Sequence, residues 1–164
     1  MNNEIEQLTD YFLSLATQYT EIGHTAAVPR FFQYSLSEIK NPNPGAIMYM
    51  SPPISTAVEQ DGSQIMRLIV DISIMENFGR QNFPEMQTAI RNSYMHCKEI
   101  LAKINADKLN DNPTNDTACL LARFSPDDAI IQVDDARLDG WIGCTLSLRF
   151  DLSEVLQITP ALWQ

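Results

Sequence analysis

The stretch Gln64-Ile65-Met66-Arg67-Leu68-Ile69-Val70-Asp71-Ile72-Ser73-Ile74-Met75-Glu76 decides the fold. Met66, Leu68, Val70, Ile72 and Ile74 recur at every second position, which is the period of a β-strand. Between them stand Arg67, Ile69, Asp71, Ser73 and Met75. One face is therefore wholly apolar and must be covered. The other is polar but interrupted by Ile69 and Met75, which predicts partial cover by a neighbour, as in a packed oligomer.

C-terminal to this strand, the period changes from two to 3.6. Asn82-Phe83-Pro84-Glu85 has the form of a helix start, with Pro84 in the tolerant first turn. Met86, Ile90, Tyr94 or Ser93, Cys97, Leu101 and Ile104 then form one apolar stripe. Lys98 and Lys103 lie toward its C-terminal half, where the helix dipole favours cations. The polar run from Asn105 to Thr117, with Asn112-Pro113, ends the helix in an exposed loop.

N-terminal to the strand, Asp61-Gly62 is a hairpin turn signature, and Ile54 to Gln60 is its partner strand. Pro52-Pro53 closes a short strand over Ala46 to Met50. Asn41-Pro42-Asn43-Pro44-Gly45 is a loop. Within Ala27 to Ile39, alternation of Phe32, Tyr34 and Leu36 predicts another strand after Pro29. The chain opens on an amphipathic helix whose stripe is Ile5, Leu8, Phe12, Leu15, Tyr19 and Ile22, stopped by Gly23.

The last third is strand-like. Cys119 to Phe124 and Ile130 to Val133 are candidates, separated by the turn Ser125-Pro126-Asp127-Asp128. After Asp139-Gly140, Trp141 to Asp151 forms the closing strand. Ile142, Cys144, Leu146, Leu148 and Phe150 share one of its faces; Trp141, Gly143, Thr145, Ser147 and Arg149 share the other. The fold class is α+β, a mostly antiparallel sheet packed against two main helices. A chain of 164 residues fits one domain, 1–164.

Net charge is −10, which disfavours a module that reads DNA by attraction to phosphate. Cys97, Cys119 and Cys144 are odd in number with no CxxC pair, so free buried thiols in a reducing compartment are expected. No basic segment followed by an apolar run stands at the start of the sequence, so a signal peptide is not expected. The longest apolar stretch, Ile65 to Met75, contains Arg67 and Asp71 and is too short to cross a membrane.

Candidate chemistry is sparse. No GxGxxG, Walker A, HExxH or GxSxG motif occurs. His24 and His96 are the two histidines; His96 and Cys97 are adjacent, so on a helix they point about 100° apart and form no pincer. Asp127, Asp128, Asp134 and Asp135 could hold a divalent metal, but turn chemistry on a solvated rim accounts for them more simply. No catalytic, cofactor or metal residue is assigned. The tail Val155, Leu156, Ile158, Pro160, Leu162, Trp163 is apolar. Residues 153–164 are either an arm that docks on a neighbouring subunit or a tail that docks on their own core.

The order helix, strands around one long strand, helix, strands resembles the tail terminators and head–tail connectors of tailed bacteriophages. The residues that carry the likeness are Ile5 to Ile22, Gln64 to Ile104 and Gly140 to Leu152. Arg30-Phe31-Phe32-Gln33-Tyr34 and Gly140-Trp141-Ile142-Gly143-Cys144-Thr145-Leu146 are similar to small virion proteins of phages infecting Bacteroidetes, including crAss-like phages. The resemblance implies a ring, often of six or twelve copies, around a DNA channel, with no catalytic residue to carry over. It implies portal, connector or tail proteins as neighbours, no membrane, and a place in the virion neck after assembly in the host cytoplasm. An acidic lumen would let DNA slide. Interface residues expected on this view are Trp163 and Leu162 in the tail, Pro52 and Pro53, and Asp127 and Asp128. The alternatives are a small bacterial cytoplasmic binding or scaffold domain and, with less support, a metal-dependent enzyme using the four aspartates.

Overall fold

The computed structural model describes residues 2–34, 39, 45–60, 63–78, 83–109, 120–138 and 140–155. Helix α1 is Asn2–Gln18 and α2 is Phe83–Leu109. The strands are β1 Phe31–Gln33, β2 Ile47–Met50, β3 Ile54–Gln60, β4 Ser63–Asn77, β5 Ile130–Leu138 and β6 Trp141–Val155. A 3-10 turn, Pro126–Asp128, leads into β5. The α+β architecture expected from the sequence is what the chain adopts.

One mixed sheet runs β1-β2-β4-β6-β5, with β3 also on β4. Only the β1–β2 pair is parallel. Strand β4 is the axis. One edge pairs with β6 from Ile65 to Asn77; the other is shared by β2 at Ile72 to Met75 and β3 at Ser63 to Ile69. Proline has no N–H to donate to a ladder. The pair Pro52-Pro53 therefore sits between β2 and β3, where Ser51 N–H still reaches the Asp71 carbonyl (3.0 Å).

The apolar face of β4 meets the helices as expected. Leu68, Val70, Ile72 and Ile74 are buried with Cys144, Leu146, Leu148 and Phe150 of β6, and with Leu8, Phe12 and Leu15 of α1. The buried seam of α2 is Ala89, Ser93, Cys97, Ile100 and Ile104. It runs through Ser93, not Tyr94, and Ile90 and Leu101 flank it as half-buried residues. Chain reversal after α1 uses Gly23 at φ +60°, a left-handed conformation that glycine adopts without a Cβ clash. His24 N–H then returns to the Ala16 carbonyl (3.0 Å).

Three local expectations need correction. Residues 120–122 form a helical turn, not a strand: Arg123 N–H reaches the Leu120 carbonyl (3.1 Å) and Phe124 N–H that of Leu121 (3.0 Å). Leu120, Leu121 and Phe124 are buried together, and that spacing suits one face of a helical turn better than alternation. The segment then meets β6 at an isolated bridge between Phe124 and Phe150, where Asp151 N–H reaches the Arg123 carbonyl (3.2 Å) and Ser125 N–H that of Arg149 (3.2 Å). The strand expected after Pro29 is just three residues long, because Tyr34 takes φ +65° and turns the chain out of the ladder. The mixed face of β4 is largely satisfied within the chain, without a neighbour. Met75 is buried against Ile47, Tyr49 and Trp141. The polar residues form cross-strand pairs: Arg67 with Asp151 (2.6 and 3.1 Å), Asp71 with Ser147 (2.6 Å) and Ser73 with Thr145 (2.7 Å).

Candidate functional site

The features of this molecule most suited to a partner are the outer edges of its sheet. Strand β3 exists because Ile54, Thr56 and Val58 are β-branched and alternate, which suits a pleated strand. Its inner edge pairs with β4 along seven residues without irregularity, and no described strand pairs with its outer edge. At the far side of the sheet, β5 pairs with β6 regularly from Ile130 to Asp134, and again no described strand lies outside it.

Both edges carry apolar side chains into water. Ile54 is 56% exposed, Ile130 47% and Val133 57%. An exposed edge strand offers unpaired backbone donors and acceptors, and proteins that must stay apart blunt it with lysine, proline, a bulge or shortness. Neither Ile54–Gln60 nor Ile130–Asp134 contains lysine or proline. The edge at β1 is blunted, by its length and by the turn at Tyr34.

The residues expected at an interface fall around these edges. Pro52, exposed, and Pro53, half-buried, directly precede β3. Asp127, exposed, and Asp128, half-buried, stand just before β5, where Asp128 lies 3.8 Å from Arg149 Nη1. The two pairs thus flank opposite edges and are not brought together. Leu162 and Trp163 lie outside the described residues, as do Cys119 and the turn Asp61-Gly62.

The four aspartates do not converge. Asp134 is buried on the non-helical face, where it accepts from Thr145 Oγ1 (2.6 Å) and Ser73 Oγ (3.2 Å). Along β6, Asp134 is level with Gly143 and Asp128 is near Arg149, six residues on, which is about 20 Å of strand. Of Asp135 only the backbone, in β5, is described. Among the described residues no group of three or more His, Cys, Asp or Glu is placed to hold a metal ion.

The thiols of Cys97 and Cys144 are free and buried. Burial, then the neighbouring Cys144, pushes the Cys97 thiol up to about 12; burial, then Asp134, raises that of Cys144. A thiol held protonated in this way is a poor nucleophile. His96 points away from Cys97, as helical geometry requires. Its Nδ1 meets Tyr19 Oη at 2.8 Å and its Nε2 lies 3.5 Å from Glu76 Oε1. This Tyr19–His96–Glu76 chain ties the end of α1 to α2 and β4. No local motif announces it, because its members are separated by tens of residues.

His24 has a role that spacing likewise hides. Its Nδ1 accepts the backbone N–H groups of both Arg30 (2.9 Å) and Phe31 (3.0 Å), which holds the chain at the start of β1. Nδ1 must therefore be unprotonated in the folded state, and burial lowers the histidine below its ordinary value of 6.5. For a group depressed in this way, the stabilisation is complete above pH 6.5 and is lost as pH falls through the folded value. His24→Leu is expected to cost about 1–2 kcal/mol at pH 7.5, the worth of two hydrogen bonds. The difference from wild type should shrink toward zero at acid pH. Urea denaturation at several pH values checks this; a difference independent of pH would show that ring protonation does not oppose the turn.

No helix among the described residues is long and apolar enough to cross a membrane. Comparison of the chain with family models, curated proteins and solved structures gives no match.

Proposed function

We propose that this chain works by assembling with copies of itself, as a ring-forming structural protein at the head–tail junction of a tailed phage virion. The observation that supports the assembly reading is the apolar surface at the two sides of the sheet, with Ile54 on one side and Ile130 and Val133 on the other left in water. Two different surfaces at opposite ends of one sheet suit a heterologous contact, the kind that closes into a ring by rotation. The place in the virion rests on the resemblance of element order to connectors and tail terminators. A net charge of −10 suits a channel through which DNA slides without sticking. The neighbours on this reading are portal, connector or tail proteins.

The test is the mass of the native particle by light scattering and native mass spectrometry, at high concentration and after mixing with the portal and tail proteins of the same genome. A closed oligomer of defined copy number is expected. A chain that stays monomeric alone and with each neighbour would overturn the reading.

A further inference from the structure

We infer that neighbouring copies join side by side through their helix layers, the α2 flank beside β5 of one copy seated on the α1 flank beside β1 of the next. This rests on the assembly reading above and names its interface.

The sheet gives the molecule two unlike sides. On one, β2 and β1 extend it beyond β4, with β3 on the rest of the same β4 edge. Helix α1 lies over β1 and β2: Thr9 Oγ1 is 3.4 Å from Tyr34 Oη and 3.9 Å from Met50 Sδ. On the other side are β6 and β5, and α2 lies there. Cys97 Sγ reaches the Cys144 carbonyl (3.6 Å) and Cys144 Sγ that of Ile90 (3.6 Å).

The two flanks carry opposite charge. At about 100° per residue, the acids of α2 (Glu85, Glu99 and Asp107) fall on the side that faces α1, where Asp107 accepts from Tyr11 Oη (2.9 Å). Arg91, Tyr94 and Lys98 fall on the side away from α1, all exposed, with the Lys98 ammonium 5.9 Å from the centre of the Tyr94 ring. Exposed Val133 stands beside them, since it pairs with Cys144 on the helix face of the sheet. Helix α1 is the reverse. Its residues include Glu4, Glu6 and Asp10 and no lysine or arginine. Glu6, Asp10 and Leu13 are exposed, and a groove lined by Ile5, Glu6, Thr9, Asp10, Gln33 and Tyr34 runs between α1 and the end of β1.

Direction and spacing let these flanks meet. Tyr11 meets Asp107 and Tyr19 meets His96, so α1 and α2 are antiparallel. A second copy set alongside, with its helices on the same face and its strands in the same direction, presents its α1 antiparallel to the α2 of the first. Asp10 then meets Arg91, and Glu6 meets Lys98. Glu6 and Asp10 are about 6 Å apart along their helix, and Arg91 and Lys98 about 10.5 Å, a difference of about 2 Å at each end that long basic side chains span. Tyr94, between Arg91 and Lys98, enters the groove between Glu6 and Asp10. Tyrosine is favoured at the centre of an interface, while exposed ion pairs at its rim contribute little energy and select the partner surface. A two-fold contact of either flank with itself would set like charges together. The contact is therefore head to tail, the kind that closes into a ring.

Charge reversal tests the pairing. Arg91→Glu/Lys98→Glu and Glu6→Lys/Asp10→Lys change only exposed side chains. Each double variant alone sets like charges at every contact and is expected to be monomeric by native mass spectrometry where wild type forms its oligomer. An equimolar mixture of the two is expected to assemble again with the copies alternating, because each then meets a flank of opposite sign. Recovery in the mixture also shows that both variants fold. Two variants that each keep the wild-type copy number would overturn this interface and leave the assembly reading standing. A mixture that stays monomeric while wild type assembles would do the same. A wild type that is monomeric alone and with its proposed neighbours would remove both.

Discussion

Replacing Gly143 with alanine is expected to destabilise the protein by about 4 kcal/mol or more, at the far end of what single substitutions do. Gly143 lies in β6 between Asp134 of β5 and Met75 of β4. A Cβ there would overlap the Ile74 carbonyl oxygen and stand 2.8 Å from the Met75 Cα. Both are backbone atoms of the central strand, so no side-chain rotation relieves the clash. The backbones of β4 and β6 would have to separate within the longest ladder of the sheet, at the third pair from its end. Glycine within a strand marks close backbone approach of this kind. Gly140→Ala is the control. Gly140 takes φ +80° and has open space around a Cβ, the nearest atom being Asn77 Oδ1 at 3.9 Å. That change should cost only about 1–2 kcal/mol. Urea denaturation of both variants measures the contrast; equal losses would show that strain at Gly143 is no more than conformational.

The sequence made the axis of the fold legible because β4 and β6 are long and bury most of one face. Met66, Leu68, Val70, Ile72 and Ile74 keep period two with no exception, and strand, partner and apolar face follow from that. What failed was short. Leu120, Leu121 and Phe124 form an apolar cluster too brief for its period to show, and the core draws it into a helical turn. Tyr34 ends β1 by a backbone angle that its side chain does not announce. The interface residues were legible only as neighbourhoods. Pro52 and Pro53, and Asp127 and Asp128, are punctuation that starts the two edge strands, and the exposed side chains belong to Ile54, Ile130 and Val133 beyond them. Edge position depends on strand order. That order comes from β6 inserting between β4 and β5, a long-range pairing that local sequence does not specify.

Truncating Phe12 to alanine should cost about 3–5 kcal/mol, because it removes a fully buried ring from the seam that covers the sheet. For a chain of this length that corresponds to a fall in melting temperature of roughly 10–15 °C. Helix α1 is fastened by two kinds of contact, and the size of each decides what holds it. The apolar seam is Leu8, Phe12, Leu15 and Ala16, all buried in the main core. The polar ties are Tyr11 Oη to Asp107 Oδ2 (2.9 Å) and Tyr19 Oη to His96 Nδ1 (2.8 Å). A net hydrogen bond contributes about 1 kcal/mol, so Tyr11→Phe and Tyr19→Phe should each cost far less than Phe12→Ala. Thermal melts of the three variants rank the contacts; a Phe12→Ala loss no larger than that of Tyr19→Phe would mean that polar ties hold the helix. The same variant separates folding from assembly. Phe12 lies on the helix face, away from the sides of the sheet where Ile54, Ile130 and Val133 are exposed. Below its lowered melting temperature, Phe12→Ala should therefore still form an oligomer of the wild-type copy number. If it folds but stays monomeric, the contact between copies depends on how α1 is seated on the core.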